Sequence, residues 1–278
     1  MAGYGPGVGA FGQTANFGGT RDPLGYGAKN LGGSSLYEIM LETIDTVGSK
    51  ILTMIASNEG GSYITVDGSN RLTSWLPQYN IAGGTYPLAD WSNATEANKP
   101  IYIEGSKVMS HDGVNDSCLD ANQLHECLNG TFKDTGEYTV WAAHAGSDRA
   151  TGEYTTRIAA ASEFIWLYSH TNKKYRITEK RGGGTLNQAY AEKLTDHPFG
   201  LVAITSVKNG DVKLYTEGSF ETVLTATNND FSGNFTDLPF GTVLPPDVDL
   251  SAYGIANKAM SLAELVSIET AVQAWKAG

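Results

Sequence analysis

Tyr79, Tyr86, Trp91 and Asn93 fall in one stretch interrupted by Gly and Pro, residues 79–99. Their types suit one chemistry: aromatic faces stack on the C–H surface of a sugar ring, and amides and carboxylates hydrogen-bond its hydroxyls. These four are the candidate carbohydrate-contact residues, with burial beneath the loop as the competing fate of Trp91. Asp112, Asn115 and Asp116 set hard oxygen donors on a Gly-containing loop, the donor type that calcium takes. Their spacing is no recognised ligand pattern, and Asp and Asn are also the ordinary turn residues. Calcium here is the one cofactor weighed; Asn228, Asn229 and Asp230 form a less favoured second cluster. Ser110, His111 and Asp112 are the residue types of a catalytic triad in consecutive positions, whereas a triad converges from separate segments. The five histidines show no His-x-x-x-His spacing, so a zinc site is not expected.

Two further patterns carry less. Gly7 to Gly12 fits Gly-x-Gly-x-x-Gly, but no strand pattern precedes it and no helix pattern follows. Lys173, Lys174, Arg176, Lys180 and Arg181 gather positive charge before a Gly run. A solvated hairpin is the favoured reading, with an acidic polysaccharide or a neighbouring acidic subunit as the alternative partner.

The elements that must position these residues fall into three parts. Residues 1–33 hold 11 of the 33 glycines, with Tyr4, Phe11, Phe17 and Tyr26 spaced among them. That composition reads as an arm that orders on a partner, its aromatics serving as anchors. Residues 34–58 read as a helix: Ser35 and Glu38 form a capping box, and Tyr37, Met40, Ile44, Val47, Ile51 and Met54 follow at spacings of 3, 4, 3, 4 and 3, a heptad stripe able to seam identical helices. The alternative is a helix packed on its own domain, since Ile39, Leu41, Leu52 and Ile55 widen the stripe and Gly48 interrupts it.

Residues 59–278 read as β, in short runs rich in Val, Ile, Tyr, Thr and Trp between Gly, Asn and Asp turns. Examples are Tyr63–Val66, Pro100–Ile103, Tyr138–Ala143, Glu163–Ser169, Tyr175–Thr178, Gly200–Val207, Lys213–Tyr215 and Thr222–Ala226. Asn209-Gly210-Asp211 marks a hairpin. No helix pattern separates these runs, so the sheets are expected to be antiparallel and to pack as a sandwich. Trp75, Trp141 and Trp166 sit in strand-like runs and read as core. A second capping box, Ser261 and Glu264, opens a helix to about Ala277 with Trp275 on its apolar face, which places one helix at each end of the β region.

Composition bounds the partners. With 19 Lys and Arg against 30 Asp and Glu, the 278-residue chain carries a net charge of −11, which repels nucleic acid and anionic lipid. No run approaches the apolar length that a membrane span needs. Cys118 and Cys127 lack Cys-x-x-Cys spacing and are expected to remain thiols. Residues 1–33 show no basic segment followed by an apolar one, so no secretory signal peptide is expected and the chain is expected to be made in a cytoplasm.

Three segments in order carry a resemblance: Asp67-Gly68-Ser69-Asn70-Arg71-Leu72-Thr73-Ser74-Trp75, Trp91 to Pro100, and Asp112-Gly113-Val114-Asn115-Asp116. With Glu137–Ala142, Gly200–Thr205, Lys213–Gly218 and Ala259–Glu264 following, residues 50–278 resemble concanavalin A-like, laminin-G-like domains. His111 stands where an aromatic usually precedes Asp-Gly, and Glu217 where Asn is usual. The resemblance implies a mostly β fold, a concanavalin A-like antiparallel β-sandwich (jelly-roll) with an N-terminal and a C-terminal helix and a Gly-rich N-terminal arm. Similar domains form tail fibres, head fibres and spikes of phage and phage-like particles. The resemblance therefore implies a virion surface protein, joined to other virion proteins by its arm and adhering to host surface polysaccharide, and the N-terminal heptad helix makes a homotrimer the expected assembly. Sandwich glucanases of this superfamily carry Glu-x-Asp-x-Glu, two carboxylates on one face of a strand. No Glu here has Asp two residues later, so a non-enzymatic protein is expected. A polysaccharide-cleaving spike and a decoration protein without glycan binding are the alternatives.

Overall fold

The computed structural model describes residues 34–48, 50–80, 90–112, 116, 119–120, 137–146, 155–160, 163–170, 174–180, 187–192, 199–207, 210–216, 218–225, 235–237 and 248–278. The arm, Tyr86, Asn115, both cysteines, Lys173, Arg181 and the cluster at 228–230 lie outside these residues.

Helix α1, Leu36–Asp45, opens on the expected capping box: the Glu38 amide donates to Ser35 Oγ at 3.2 Å and the Ser35 amide to the Glu38 carboxylate at 2.9 Å. It stops far short of the sequence expectation. Thr43 and Thr46 turn their hydroxyls onto the carbonyls of Ile39 and Thr43, and Gly48 follows. Beyond it, Lys50–Ile55 is a strand, β1. The heptad stripe is therefore broken in two: Tyr37, Met40, Ile44 and Val47 belong to the helix and the turn after it, whereas Ile51 and Met54 sit in the sheet. A run such as Ile51-Leu52-Thr53-Met54-Ile55 satisfies strand burial as well as helical periodicity. Pairing with a distant strand decides the outcome, and the segment 34–58 is not a separate unit.

The further strands are β2 (Ile64–Val66), β3 (Leu72–Trp75), β4 (Tyr79–Asn80), β5 (Trp91–Ser92), β6 (Ile101–Ile103), β7 (Val108–Ser110), β8 (Leu119–Asp120), β9 (Tyr138–Gly146), β10 (Thr155–Ala160), β11 (Glu163–His170), β12 (Lys174–Lys180), β13 (Asn187–Glu192), β14 (Gly200–Ser206), β15 (Asp211–Thr216), β16 (Ser219–Thr225), β17 (Phe235–Asp237) and β18 (Val248–Ala256), followed by helix α2 (Leu262–Ala277). Every strand pair is antiparallel. A nine-stranded sheet runs β16-β15-β14-β9-β18-β1-β4, with the β6–β7 hairpin joined to β18. A four-stranded sheet runs β2-β3-β5-β8 and a five-stranded one β13-β12-β11-β10-β17. β14 and β15 form the hairpin read from Asn-Gly, Ser206 pairing with Val212.

Both faces of the large sheet are covered. Val140, Ala142, Val202, Ile204, Leu214 and Tyr253 point to one face and meet Ile64, Leu72, Trp75 and Trp91 of the four-stranded sheet. Trp141, Ala143, Leu201, Ala203, Tyr215 and Ala252, the alternate residues, meet Tyr37, Met40 and Ile44 of α1 and Leu265, Ile268, Val272 and Trp275 of α2. The expected N-terminal and C-terminal helices are both present, and they lie side by side on one face of the sheet, Tyr37 against Trp275 at 6.2 Å. Of the heptad residues that suggested a seam between chains, Tyr37, Met40, Ile44 and Val47 are spent on this face, and Ile51 and Met54 on the core between the sheets.

Gly254 is required by that packing. A Cβ there would lie 2.2 Å from Cε2 of Trp141, so the indole lies flat on the backbone of β18. Glu269 of α2 is 9% exposed, yet it points inward, accepting from the Leu201 amide at 3.1 Å and from the Tyr215 hydroxyl. It ties α2 to β14 and β15.

Candidate functional site

The structure separates the residues that sequence grouped for sugar contact. Trp91 is 1% exposed, packed edge-on against Trp75 at 5.8 Å and against Tyr253 at 5.0 Å. It is core, because β5 lays it between the two sheets. Asn93 is 8% exposed, and its Oδ1 accepts from the Thr95 amide at 2.9 Å, a local turn that leads into the 3₁₀ turn Glu96–Asn98. Tyr79 is half-buried on β4. Of the four, only Tyr79 keeps an accessible described side chain.

The proposed calcium donors are placed in part. Asp112 and Asp116 exchange bonds: the Asp112 amide donates to the Asp116 carboxylate at 3.1 Å, and the Asp116 amide to the Asp112 carboxylate at 3.4 Å. Oδ1 of Asp116 is buried with no hydrogen bond, and burial raises the pKa of that carboxyl. Two carboxylates fall short of the six to eight oxygens that calcium takes, and the described residues hold no group of three metal-binding side chains. Asn115, the third proposed donor, lies outside the described residues.

His111, beside this pair, is buried and bonded through Nδ1 to the Met109 carbonyl at 3.2 Å. Burial holds its pKa down at about 4. Below an unfolded pKa near 6.5 the unfolded chain takes up a proton that the folded chain refuses, so stability falls as pH drops from about 6.5 to about 4. Between pH 7.5 and pH 5 His111 should cost about 2 kcal/mol. Urea unfolding of the wild type and of His111→Phe at both pH values checks this: the variant should lose most of that dependence. An equal dependence in both proteins would remove His111 as its source.

A different cluster assembles at the end of the sandwich where the β1–β2 loop, the β6–β7 hairpin and the last turn of α2 meet. Asn58 shapes the loop, its Oδ1 accepting from the Tyr63 and Ile64 amides at 2.9 and 2.7 Å. Glu59 is exposed, and one oxygen accepts from Trp275 Nε1 at 3.0 Å. The 3₁₀ turn Glu104–Ser106 ends on Lys107, whose left-handed backbone, φ 53°, turns its ammonium onto the Trp275 carbonyl at 2.6 Å and over the indole at 5.1 Å. Lys276 reaches the Ser106 carbonyl at 2.7 Å and Ser251 Oγ at 3.1 Å; desolvation lowers its pKa. Tyr63, half-buried, closes the β1–β2 loop through its amide and packs against the inter-sheet core, and the Tyr102 hydroxyl is pushed up to about 12 by burial and then by Glu104. The rim offers an aromatic flank, two exposed carboxylates, Glu59 and Glu104, and an ammonium; Glu59 and Lys107 are fixed to the last turn of α2 by bonds between distant segments. Sequence reasoning missed it because its members are spread from Asn58 to Lys276, and the only local signal was the Gly60-Gly61-Ser62 loop.

No protein-family model matches the sequence, and neither does any curated protein. Solved structures do. A Trypanosoma rangeli sialidase superposes with a TM-score of 0.52 at 11% identity, covering 84% of this chain and 38% of that one. The same enzyme in complex with sialic acid gives 0.50 at 11%, covering 80% and 33%. A mutant of HCR/D gives 0.51 at 14%, covering 81% and 51%. The chain is an antiparallel β-sandwich with two helices. It spans only 33–38% of the length of these sialidase chains, and at such identity the likeness is one of fold.

Proposed function

We propose that this chain is a non-catalytic carbohydrate-binding sandwich of the concanavalin A-like, laminin-G-like kind, displayed on the surface of a phage or phage-like particle as a head or tail fibre or spike. The observation that carries the binding role is the rim of Tyr63, Glu59, Glu104 and Lys107. It pairs a half-exposed aromatic with charged hydrogen-bonding groups on a rigid frame, the combination that sugar recognition uses. The sandwich likeness to a sialidase solved with sialic acid adds weight to a glycan as ligand. The particle location rests on the order of a Gly-rich arm before an adhesive sandwich, with the arm as the part that joins other virion proteins.

One feature favours a second reading, a sugar-cleaving spike: Tyr102 of β6 stands two residues before the exposed carboxylate of Glu104, and sialidases use a tyrosine nucleophile. Against it, Tyr102 is buried and its hydroxyl resists ionisation, which makes it a poor nucleophile.

The test is a titration of the full chain against sialylated and neutral surface glycans, with assay of released sugar. Binding without release is expected, and Tyr63→Ala should weaken it about tenfold, near 1.4 kcal/mol. Released sugar would establish the cleaving reading, and no binding to any glycan would remove the adhesive one. Mass spectrometry of purified particles checks the location.

A further inference from the structure

We infer that one face of the five-stranded sheet binds an acidic polysaccharide. The register assigns the faces. Residues opposed across an antiparallel ladder share a face and successive residues of a strand alternate, and β10, β11, β12 and β13 pair without a shift of register. Lys174, Arg176 and Lys180 of β12 therefore share one face with Arg157 of β10. The same face takes Phe164, Trp166 and Tyr168 of β11 and Tyr190 of β13. The two sets interleave: Arg176 stands between Tyr168 and Tyr190, Lys180 opposite Phe164, and Arg157 opposite Trp166. Positions so opposed lie about 5 Å apart. The cation cluster was legible in sequence, but its alignment with Arg157 and the aromatic residues comes from the ladder.

Charge is sorted between the two faces. Among the described residues, β10, β11 and β12 place four cations and no carboxylate on this face; its carboxylates, Glu192 and Asp237, stand on the edge strands β13 and β17. The opposite face holds Ile158, Ile165, Leu167, Ile177, Ala189 and Ala191, and its charges, Glu163 and Glu179, are negative. Packing the first face against protein would strip water from cations that, Lys174 apart, have no carboxylate opposite them. Composition thus leaves the cationic face to a ligand.

The residue types select the ligand. Aromatic rings stack on the C–H surface of sugars, and guanidinium groups hold carboxylate or sulfate through paired hydrogen bonds. Interleaved, they match a polymer in which sugar rings carry anionic groups along their length. Four strands about 4.8 Å apart and six steps of about 3.3 Å along β12 span roughly 14 by 20 Å, room for several linked sugars rather than one. Duplex DNA suits the surface less, because its denser charge is repelled by a chain of net charge −11. The surface shares no residue with the rim of Glu59, Tyr63, Glu104 and Lys107, so it does not depend on that reading.

Calorimetric titration of the full chain with oligogalacturonate, dextran sulfate, neutral dextran and a short DNA duplex tests it. Binding is expected to one or both acidic sugars and not to dextran, and it should weaken as salt rises. The galacturonate and sulfate arms tell which anionic group is preferred. Arg157→Gln combined with Arg176→Gln should weaken binding about tenfold or more, with the circular dichroism and melting temperature of the wild type. If that pair does not fold, Lys174→Gln with Lys180→Gln carries the same expectation. Failure to bind either acidic sugar would overturn the proposal. So would folded variants that bind as the wild type does, or dextran or the duplex bound as tightly as the acidic sugars.

Discussion

Replacing Glu269 with leucine should cost about 3 to 4 kcal/mol of folding stability, because it orphans two buried donors at once, each worth about 1 to 3 kcal/mol. The Leu201 amide and the Tyr215 hydroxyl both end on that carboxylate. The Tyr215 hydroxyl is held well above its ordinary pKa by burial and by Glu269, so it stays a donor throughout the working range of pH. Chemical denaturation checks the magnitude, and a cycle with Tyr215→Phe apportions it. In the Tyr215→Phe background the leucine substitution should lose part of its cost, since one of the two donors is already gone. A single-variant loss below about 1 kcal/mol would mean that water reaches the carboxylate.

Trp91→Ala is the second large effect, at about 4 kcal/mol, in the range of aromatic truncations in cores. The indole fills the space between Trp75 and Tyr253, and alanine leaves a void that rigid neighbouring strands cannot close. The substitution therefore separates two roles that sequence leaves open. A sugar platform would lose affinity while its stability held; a core residue loses stability while the folded fraction still binds. Thermal unfolding and glycan titration of one preparation read both quantities. Unchanged stability would return Trp91 to the surface.

Both expectations reflect how far local pattern reaches. The two capping boxes were legible because a cap is set within three residues, Ser35 with Glu38 and Ser261 with Glu264. The β14–β15 hairpin was legible because its turn chemistry is local. β1 was not. Its six residues, Lys50–Ile55, become a strand by pairing with β18 and β4, partners that no local window contains. β18 itself escaped notice, since Tyr253-Gly254-Ile255-Ala256 has a Gly where a strand would ordinarily carry a side chain, and only the indole of Trp141 lying across it explains the choice. Trp91 and Asn93 are buried for a related reason: aromatic and amide types mark both binding surfaces and cores. Trp91 was assigned by its loop, whereas the four-stranded sheet turns it inward. Of the rim, Glu59 and Lys107 are joined to α2 by bonds that span most of the chain, which no local window contains.

β18 occupies the middle of the large sheet, with β9 on one side and β1 on the other. A ribosome releases β1 and β9 well before it delivers Val248–Ala256, and at 5 to 20 residues per second the interval after β9 is roughly 5 to 20 s. Throughout that time the nascent chain holds two apolar strands with open edges, each a template for pairing with a stranger. The sheet cannot close by growing outward from a finished centre; its keystone follows both of the strands it joins. Such a protein should depend on holding factors during translation more than its size suggests, and a message truncated before residue 248 should yield aggregate rather than a smaller sandwich.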